Sequence, residues 1–464
     1  MKEPSNSATN WLKQLYHVIV SLLQPHKRRT KTISHPKPNI IPRDEHPISR
    51  KIISRPALNV LYGLKDAGYE AYLVGGCLRD ALTGTKPKDF DVVTNARPEE
   101  IQQTFKRARI IGRRFRLVHV YFGRDVIEVA TFRSNTDEAD PKLLVQSKTG
   151  QLLRDNVFGT IEEDAQRRDF TINALYYNIA DFALYDFTNA LEDIKARTIR
   201  LIGDPETRYR EDPVRMLRAV RFSAKLGFTI EQHTAAAIKP LAHLLKEVPP
   251  ARLFDECNKL FLSGHGERTF EALHTYGLFA QLFPHSSQYL QENSTHHALF
   301  LQALRNTDER LKDGRPVTPA FLFAVFLWPL VRQRQQEKIH QGMPPVVAMN
   351  QASSEALSLQ AQTVTIPKRF SLMIRDIWDL QERLPRRHGK RAARLVTHPR
   401  FRAAYDFLLL REAAQEIPPG LGQWWTDYQD AEGKQRETMV RALNPRGGKK
   451  RPRRRPRKRA NQNA

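Results

Sequence analysis

The stretch LVGGCLRDALTGTKPKDFDVVTNA, residues 73–96, decides the predicted fold of the N-terminal half of this sequence. It predicts a strand that ends in Gly75-Gly76, a short helix that carries Arg79, and a second strand that begins at Asp89. Because glycine has no Cβ, backbone N–H groups at this turn can approach a triphosphate closely, and the helix N-terminus adds a favourable dipole. We therefore predict nucleotide binding at Gly75, Gly76 and Arg79, although a Gly-Gly pair alone is also typical of a plain tight turn.

The second strand carries two carboxylates. Asp89 and Asp91 are two positions apart, so their side chains leave the same face of an extended strand. Two carboxylates held together repel each other, and a cation between them relieves the repulsion. Mg²⁺ prefers one or two carboxylates completed by substrate phosphate. An Asp-x-Asp pair by itself also fits a solvated strand end, but the glycine turn thirteen residues upstream favours a metal site.

A later strand adds two further candidates. Glu128 lies in the run EVATFR, residues 128–133, and is predicted to be a third carboxylate near the metal. Arg133, at the end of the same run, is predicted to bind a phosphate. Taken alone, Glu128 also fits an ordinary surface glutamate.

The pattern changes along the chain. In the first 190 residues strand and helix patterns alternate, with a hairpin at 116–122 and 126–132 followed by a polar loop at 134–152. Beyond residue 191 strand signals nearly vanish, and the predicted fold class is α+β with a small mixed α/β head and an all-helical neck and body. The predicted domains are a flexible basic leader at 1–45, a mixed α/β head at 46–190, a helical neck at 191–250, a helical body at 251–440 and a disordered Arg/Lys-rich tail at 441–464.

Charge and cysteine content narrow the function classes. The 464 residues include 75 Lys+Arg against 50 Asp+Glu, a formal net charge of +25. Such a surplus favours a phosphate polymer as partner, with an anionic membrane surface as the weaker alternative. Two cysteines exclude a disulfide framework and fit a reducing cytosol, and no transmembrane segment is predicted. Ten tail cations are predicted to bind RNA: Arg446, Lys449, Lys450, Arg451, Arg453, Arg454, Arg455, Arg457, Lys458 and Arg459.

Two more motifs follow the quoted stretch in order. They are RRDFTINALYY at 167–177 and RYREDPVRMLRAVRFSAKLGF at 208–228. Together with residues 73–96 they resemble the motifs of class II nucleotidyltransferases in the polymerase-β-like superfamily. This class includes poly(A) polymerases and the CCA-adding enzymes that complete transfer RNA. The resemblance implies that residues 46–190 form a polymerase-β-like nucleotidyltransferase catalytic head. It also implies a nucleotide-recognition motif in the neck, 191–250, and RNA binding by the body, 251–440.

The resemblance also implies residue roles. Asp89 and Asp91 would hold two Mg²⁺ ions, with Mn²⁺ as a substitute, for in-line displacement of pyrophosphate. Asp169 would be the third catalytic acid, with an Asp paired structurally to an Arg as the alternative. Arg167 and Arg168 would lie at the sugar and phosphates of the nucleotide. The second of the two later motifs would recognise the Watson–Crick edge of adenine through Glu211, Asp212 and Arg215. Asp212 is also a candidate helix cap.

Three features favour the bacterial poly(A) polymerases within this class. They are IIGRRFRLVHV at 110–120, the pair IPKR at 366–369 and HPRFRAAYD at 398–406, and the basic tail. The implied function is addition of AMP from ATP to RNA 3′ ends without a template, for mRNA polyadenylation linked to RNA processing and decay in the cytoplasm. RNA-decay or RNA-chaperone proteins are the expected protein partners. CCA addition to transfer RNA, and a non-catalytic RNA-binding protein on the same scaffold, are the alternatives.

Overall fold

The computed structural model describes residues 37–112, 116–134, 144–146, 152–155, 157–290 and 294–443, with backbone alone for the third and fourth of these ranges. The ten predicted RNA-binding tail cations and most of the predicted leader lie outside the described residues. From Pro38 onward the chain forms one compact unit. The α+β fold class is confirmed.

An eight-stranded sheet forms the head. Its strand order is β1-β10-β9-β2-β3-β6-β5-β4, and every neighbouring pair is antiparallel except β3 and β6. The parallel pair, β3 and β6, lies in the middle of the sheet. Its register places Asp91, the first residue of β3, beside Glu128 of β6. The strands are β1 (Asn39–Ile41), β2 (Ala71–Val74), β3 (Asp91–Thr94), β4 (Ala108–Ile111), β5 (Leu117–Phe122), β6 (Asp125–Thr131), β9 (Leu175–Asn178) and β10 (Leu184–Asp186).

The two faces of this sheet differ. One face packs into the main core, where Leu73, Val92 and Val129 meet the head helices. The opposite face carries a smaller apolar cluster that includes Val74 and Val93. Because side chains alternate along a strand, residues two positions from members of the smaller cluster share its face. The head helices are α1 (Arg55–Asp66), α2 (Gly76–Leu82), α3 (Pro98–Thr104), α4 (Ile161–Arg167) and α5 (Ala190–Lys195).

Several short strands differ from the sequence predictions. Residues 39–41, predicted to belong to the leader, form the edge strand β1 against β10. The predicted polar loop at 134–152 contains β7 (Leu144–Gln146), which pairs with β8 (Leu152–Asp155). A two-residue parallel pair, β11 (Thr198–Ile199) with β12 (Thr229–Ile230), lies in the region predicted to be helical. All of these strands have four residues or fewer, too short to give an alternating pattern.

Helices make up nearly all of the described neck and body. In the neck, α7 packs against α10 and α11. The neck helices and those that follow them are α6 (Pro205–Glu211), α7 (Val214–Leu226), α8 (Gln232–Ala236), α9 (Ile238–Leu241), α10 (Pro250–Phe261), α11 (Gly266–Thr275), α12 (Leu278–Leu282) and α13 (Pro284–Ser287).

The body is built around one long buried helix. Its first half packs Phe323, Phe326 and Trp328 against aromatic side chains of neighbouring helices. The sequence predicts this helix only as far as residue 331, because the polar residues that follow give no apolar period. The body helices are α14 (Thr295–Lys312), α15 (Pro319–His340), α16 (Pro345–Ala361), α17 (Lys368–Arg383), α18 (Arg391–Val396), α19 (Phe401–Ala413), α20 (Leu421–Asp430) and α21 (Gly433–Ala442).

Candidate active site

The glycine turn at the end of β2 lies directly beside Asp91. Val74 pairs with Asp91 across the two antiparallel strands. Gly75 has φ +84°, and a Cβ added to it would lie 3.8 Å from Asp91 Oδ2. A side chain at this position would be strained by the left-handed backbone, although its Cβ would make only an ordinary van der Waals contact with the carboxylate. The turn therefore depends on glycine, and Gly76 starts α2 immediately afterwards.

The carboxylates gather where three central strands run side by side. Asp91 pairs with Glu128 across the parallel strands β3 and β6. The strand predicted to begin at Asp89 begins at Asp91 instead, so Asp89 lies just before β3. The neighbouring strand β2 turns away at Gly75 and therefore offers no backbone partner to Asp89. Asp89, Asp91 and Glu128 line one cleft of about 600 Å³, which we call the acidic cleft. His119 of β5 lies 3.4 Å from Glu128, measured between Nε2 and Oε1.

Negative charge in the acidic cleft is only partly compensated. Asp91 reaches solvent at the mouth of the cleft, but the surrounding protein and the nearby charges of Glu128 and Asp89 raise its pKa to about 6, against the opposing effect of Arg168. Such a shift means that the charged form is disfavoured until a cation arrives. Within the described chain, no three His, Cys, Asp or Glu side chains converge on one point. The donor set fits a divalent ion that takes one or two carboxylates and completes its shell with substrate oxygens.

A cluster of arginines lies next to these carboxylates. The pKa of Arg167 is lowered to about 9, first by burial and then by the charges of Arg133, Arg208, Arg215 and Arg168. Four of these five arginines are predicted site residues, and Arg208 is not. Repulsion among guanidinium groups is relieved by a bound anion, so we call this set the guanidinium cluster and regard it as complementary to a polyphosphate.

Arg168 and Arg208 of the guanidinium cluster connect the head to the neck through their hydrogen bonds. Arg168 donates to Asp164 Oδ2 at 3.0 and 3.1 Å and to the Tyr176 hydroxyl at 2.8 Å. Arg208 is buried and donates through one nitrogen to the carbonyl oxygens of Arg167 and Arg168, at 2.5 and 2.7 Å. These bonds hold the turn after α4 against α6, so the head and the neck share the cluster.

The side chain of Arg79 is buried in the wall of the site. Its guanidinium donates to Asp80 Oδ1 at 2.6 Å and to Asn173 Oδ1 at 2.5 Å, and it lies over the ring of Phe222 in α7. This geometry ties the helix after the glycine turn to the neck. Direct contact between Arg79 and a nucleotide stays a prediction.

Asp169 is placed apart from the other two predicted catalytic acids. Its Oδ2 accepts from Arg218 at 2.5 and 2.6 Å, and its Oδ1 accepts from the Phe170 backbone N–H at 2.9 Å. Burial alone would raise the pKa of Asp169, but the ion pair with Arg218 and these hydrogen bonds hold it at about 2. The ion pair of the structural alternative is therefore present, between Asp169 and Arg218, and a catalytic role for Asp169 stays a prediction.

The predicted base-recognition residues line a second cleft. Asp169, Asp212, Arg215, Arg218 and Arg252 line about 530 Å³ between α7 and α10, which we call the neck cleft. Here the charges are matched in pairs: Arg252 lies 2.8 Å from Asp212 Oδ2. Asp212 Oδ1 also accepts from a backbone N–H at the start of α7, at 3.3 Å, so Asp212 acts as a cap and faces the cleft at once.

Glu211 lies behind the neck cleft. Its Oε2 accepts from Arg215 at 2.8 Å and from Arg208 at 2.5 Å. Glu211 is thus the acceptor that fixes the direction of two arginines at the boundary of the guanidinium cluster. Its direct contact with a base stays a prediction.

Two comparisons with known proteins agree on the family. The family model described as the poly A polymerase head domain matches residues 71–200, and the one for the polymerase A arginine-rich C-terminus matches residues 341–459. A third, described as a probable RNA and SrmB-binding site of polymerase A, matches residues 227–290. The Poly(A) polymerase I of Salmonella typhi is 49% identical over 437 residues, which span 93% of this chain and 94% of that protein. The chain belongs to the poly(A) polymerase family.

Further relatives place the chain within its superfamily. The Poly(A) polymerase I of Haemophilus influenzae is 50% identical over 90% of this chain and 95% of its own length. The CCA-adding enzyme of Lactobacillus helveticus is 39% identical, but over 46% of this chain and 52% of its own length. The family prediction is therefore confirmed, and the chain is a nucleotidyltransferase of a class that needs a divalent metal.

Solved structures share the fold. A tRNA-processing enzyme in an apo form aligns with a TM-score of 0.56 at 21% identity, covering 85% of this chain and 97% of that one. A tRNA nucleotidyltransferase complexed with a primer tRNA and an incoming ATP analog gives 0.55 at 22% identity, covering 82% and 99%. In the part of the chain that the structure describes, no helix is long and apolar enough to cross a membrane.

Some site residues of this poly(A) polymerase family member are not recognised from the sequence. Arg218 lies three positions after Arg215 on α7, a spacing that places the two side chains on one helical surface and is a usable signal. Arg208 belongs to the same motif but lies on the preceding helix, α6, and its carbonyl oxygen accepts from Arg215 at 2.7 Å. Arg252 comes from α10 and reaches the neck cleft only through the tertiary fold. No local pattern indicates it.

Proposed function

We propose that this chain extends RNA 3′ ends with AMP taken from ATP, without a template, and that it acts in mRNA polyadenylation linked to RNA processing and decay. The supporting observation is identity of 49% with a Poly(A) polymerase I along 93% of the chain. The acidic cleft and the adjoining guanidinium cluster supply the two kinds of charge that this reaction needs. In the reaction the RNA 3′-hydroxyl gives its proton to water and its oxygen bonds to the α-phosphorus. The bond between the α-phosphorus and the α–β bridging oxygen breaks, and pyrophosphate leaves with that electron pair.

The acidic cleft would bind the metal. Asp89 and Asp91, with Glu128 beside Asp91, would hold two Mg²⁺ ions, for which Mn²⁺ substitutes. When bound, the ions supply positive charge at the attacking and leaving oxygens. The raised pKa of Asp91, caused by its surroundings and by its acidic neighbours, supports this assignment because the cluster is short of positive charge. Gly75 leaves the space beside Asp91 Oδ2 free of side-chain atoms.

The guanidinium cluster would hold the triphosphate. Arg133, Arg167 and Arg168 lie close enough to repel one another, and phosphate oxygens would replace that repulsion with charge-assisted hydrogen bonds. Because Arg168 is already fixed by Asp164 and Tyr176, it can orient the phosphates without losing much freedom on binding. These arginines would also stabilise the charge that develops on pyrophosphate.

The neck cleft would select the base. A carboxylate and a guanidinium together match the donor and acceptor on the Watson–Crick edge of adenine, and Asp212 and Arg215 line the same cleft. Asp212 would exchange its pair with Arg252 for a contact with the base. A mismatched base would leave these polar groups unpaired, which is costly away from water.

CCA addition is the runner-up, since the head motifs are common to both activities. The match to a CCA-adding enzyme covers 46% of this chain, against 93% for Poly(A) polymerase I, which favours polyadenylation. The purified chain should be given a short RNA primer with Mg²⁺ and either ATP alone or CTP plus ATP. We expect long extension with ATP alone. Extension that needs CTP and stops after three additions would identify the runner-up, and no extension in either mixture would support a non-catalytic RNA-binding protein.

The basic tail would add affinity for RNA without reading sequence. It holds ten Lys/Arg residues between 446 and 459, and each phosphate neutralised on a single strand contributes about 0.7 to the slope of log K against log salt. If four cations engage, removal of residues 446–464 should flatten that slope by about 3 and leave turnover at saturating RNA unchanged. An unchanged slope would mean that the tail serves another partner.

The cellular location and the protein partners are proposed from the cysteines and from one family model. We place the activity in the cytoplasm, which the buried free thiols Cys77 and Cys257 support because they suit a reducing compartment.

A protein of RNA decay or an RNA chaperone would dock at residues 227–290, since these residues match the family model described as a probable RNA and SrmB-binding site. A pull-down with residues 227–290 exchanged for those of a CCA-adding enzyme would test this placement.

A further inference from the structure

A pocket of about 440 Å³ opens in the helical body, away from the head and the neck cleft. It lies between α14, α15, α17 and α19, and its floor is apolar, with Phe321, Met373 and Ile377. Phe321 stands near the start of α15 and is partly exposed, whereas the ten residues after it are buried. The edge of Phe321 meets Phe407, with ring centroids 6.4 Å apart, so its ring is held in place while one side borders the pocket.

Arginines dominate the rim of this body pocket. Arg310, Arg315, Arg400 and Arg402 line it, against the acids Glu309 and Asp406. Asp406 is already paired with Arg402 at 2.9 Å, and Arg315 pairs with an aspartate outside the pocket. Among the described residues, the Arg400 guanidinium has no hydrogen-bond or ion-pair partner. The rim therefore presents a net positive charge above an apolar floor.

A segment that the proposed transfer chemistry does not use builds one wall. Residues 398–406, HPRFRAAYD, supply Pro399, Arg400, Arg402, Ala403 and Asp406 to the lining. The turn before α19 brings Pro399 and Arg400 to the rim, and the first turns of that helix present Arg402, Ala403 and Asp406. A compact segment that combines cations, an acceptor and small apolar residues is the composition expected where a nucleotide is held.

We propose that this pocket binds one nucleotide of the RNA acceptor upstream of the 3′ end, with the base against Phe321 and Met373 and the neighbouring phosphates on Arg400 and the other rim arginines. The inference rests on the proposed use of RNA as acceptor. The 3′-terminal nucleotide must reach the acidic cleft in the head, so only a nucleotide further back along the strand can occupy a body pocket. Base stacking on an aromatic ring tolerates any base, which suits an enzyme that acts on many 3′ ends.

Primer length separates this role from the chemistry of transfer. The full chain and the variants Arg400→Glu and Phe321→Ala should be compared with a short oligoadenylate that reaches only the head, and with a long unstructured one. We expect the Kd and the KM for the long primer to rise about tenfold in each variant. Values for the short primer and kcat at saturation should stay at the wild-type level. Arg394→Glu is the matched control, because Arg394 is exposed on α18 and does not line the pocket.

The outcomes divide cleanly. Unchanged binding of the long primer in both variants, or an equal loss for both primers, would overturn the inference. Displacement of a pocket-specific fluorescent label by free AMP but not by RNA would assign the pocket to a free nucleotide and would also overturn it. If Phe321→Ala lowers the melting temperature, Phe321→Leu and Arg400→Glu carry the test. Failure of the wild-type chain to extend even the short primer would instead contradict the proposed function.

Discussion

The acidic cleft and the neck cleft hold two of the three predicted catalytic acids in opposite electrostatic states. Asp91, beside Glu128 and Asp89, has its pKa raised to about 6 by its surroundings and by those acidic neighbours. Asp169, although buried, has its pKa held at about 2 by Arg218 and by hydrogen bonds. Arg168 offsets the charges around Asp91 only in part, whereas Asp169 has a direct ion-pair partner in Arg218. The same residue type, predicted for the same task, therefore lies in two different chemical situations.

This difference indicates how each cleft would work. A cluster of carboxylates with little compensating positive charge is stabilised strongly by a cation. We therefore expect metal binding in the acidic cleft to have a large favourable free energy. A cleft whose charges are paired changes little in total charge when it exchanges one partner for another. The neck cleft can therefore trade Arg252 for a base and discriminate by geometry. The head is suited to catalysis and the neck to selection.

The largest expected effect is loss of AMP transfer in Asp89→Ala and Asp91→Ala. Losing a metal ligand removes several kcal/mol of transition-state stabilisation, so kcat should fall by about a thousandfold or more. The fold should persist, because both side chains are exposed at the cleft. Radiolabelled ATP incorporation with a saturating primer measures the effect, and circular dichroism checks the fold.

Asp66→Ala is the matched control for these variants. Asp66 ends α1 in the same head and is exposed, so its variant should transfer AMP at the wild-type rate. Turnover near that rate in either cleft variant would show that the acidic cleft is not the catalytic centre.

The next effect concerns the choice of nucleotide. Asp212→Ala and Arg215→Ala should reduce the preference for ATP over CTP by about a hundredfold, since each bidentate contact with a base edge contributes about 1–3 kcal/mol of discrimination. Single-turnover rates with each nucleotide give the ratio. Arg252→Gln removes the ion-pair partner of Asp212 but leaves the carboxylate in place, so it should keep the preference. Selectivity that survives in both alanine variants would move base recognition elsewhere.

A smaller effect tests whether Asp169 is structural or catalytic. Asp169→Asn should lower the free energy of unfolding by about 2 kcal/mol near pH 7, because a depressed pKa reports stabilisation of the charged form. The pKa is lowered from 3.8 to about 2, so this stability is present above about pH 4 and is lost as the pH falls toward 2. The gap between wild type and variant in denaturant unfolding should close over that range. Well below the melting temperature, AMP transfer should fall far less than in Asp91→Ala.

The sequence predicts the parts of the head that rest on local chemistry. The glycine turn with positive φ at Gly75 follows from a backbone rule that a single sequence contains. The position of Glu128 beside Asp91 depends on the pairing of β3 with β6, for which the sequence gives no local signal. The start of β3 at Asp91, two residues after the predicted start at Asp89, could not be predicted. The strand begins only where the neighbouring strand β2 is present to pair with it. That event depends on pairing across the sheet.

The neck shows the opposite limit. The motif residues Asp212 and Arg215 are visible in the sequence, but the partners that neutralise the cleft come from elsewhere in the fold. Arg218 lies forty-nine positions from Asp169, and Arg252 lies forty positions from Asp212. Ion pairs over such separations leave no periodic signal. The assignment of Asp169 as a third catalytic acid therefore rests on the resemblance alone, and the ion pair with Arg218 does not decide between a catalytic and a structural role.

The smallest expected effect concerns the pH dependence of the metal-free chain. The pKa of Asp91 is raised from 3.8 to about 6 by its surroundings, Glu128 and Asp89. Its contribution to stability is therefore full below about pH 4 and is lost as the pH rises through 6. Asp91→Asn abolishes this titration, so in EDTA the variant should be more stable than wild type at pH 7, by about 1 kcal/mol once the solvent exposure of Asp91 is allowed for. At pH 4.5 the two proteins should be nearly equal in stability.

Melting curves at both pH values give the difference in stability between variant and wild type. Saturating Mg²⁺ should remove or reverse this difference at pH 7, because the ion stabilises the charged carboxylate in the wild type alone. A variant that is less stable than wild type at pH 7 without metal would mean that Asp91 already has a counter-charge, and the contrast between the two clefts would then fail.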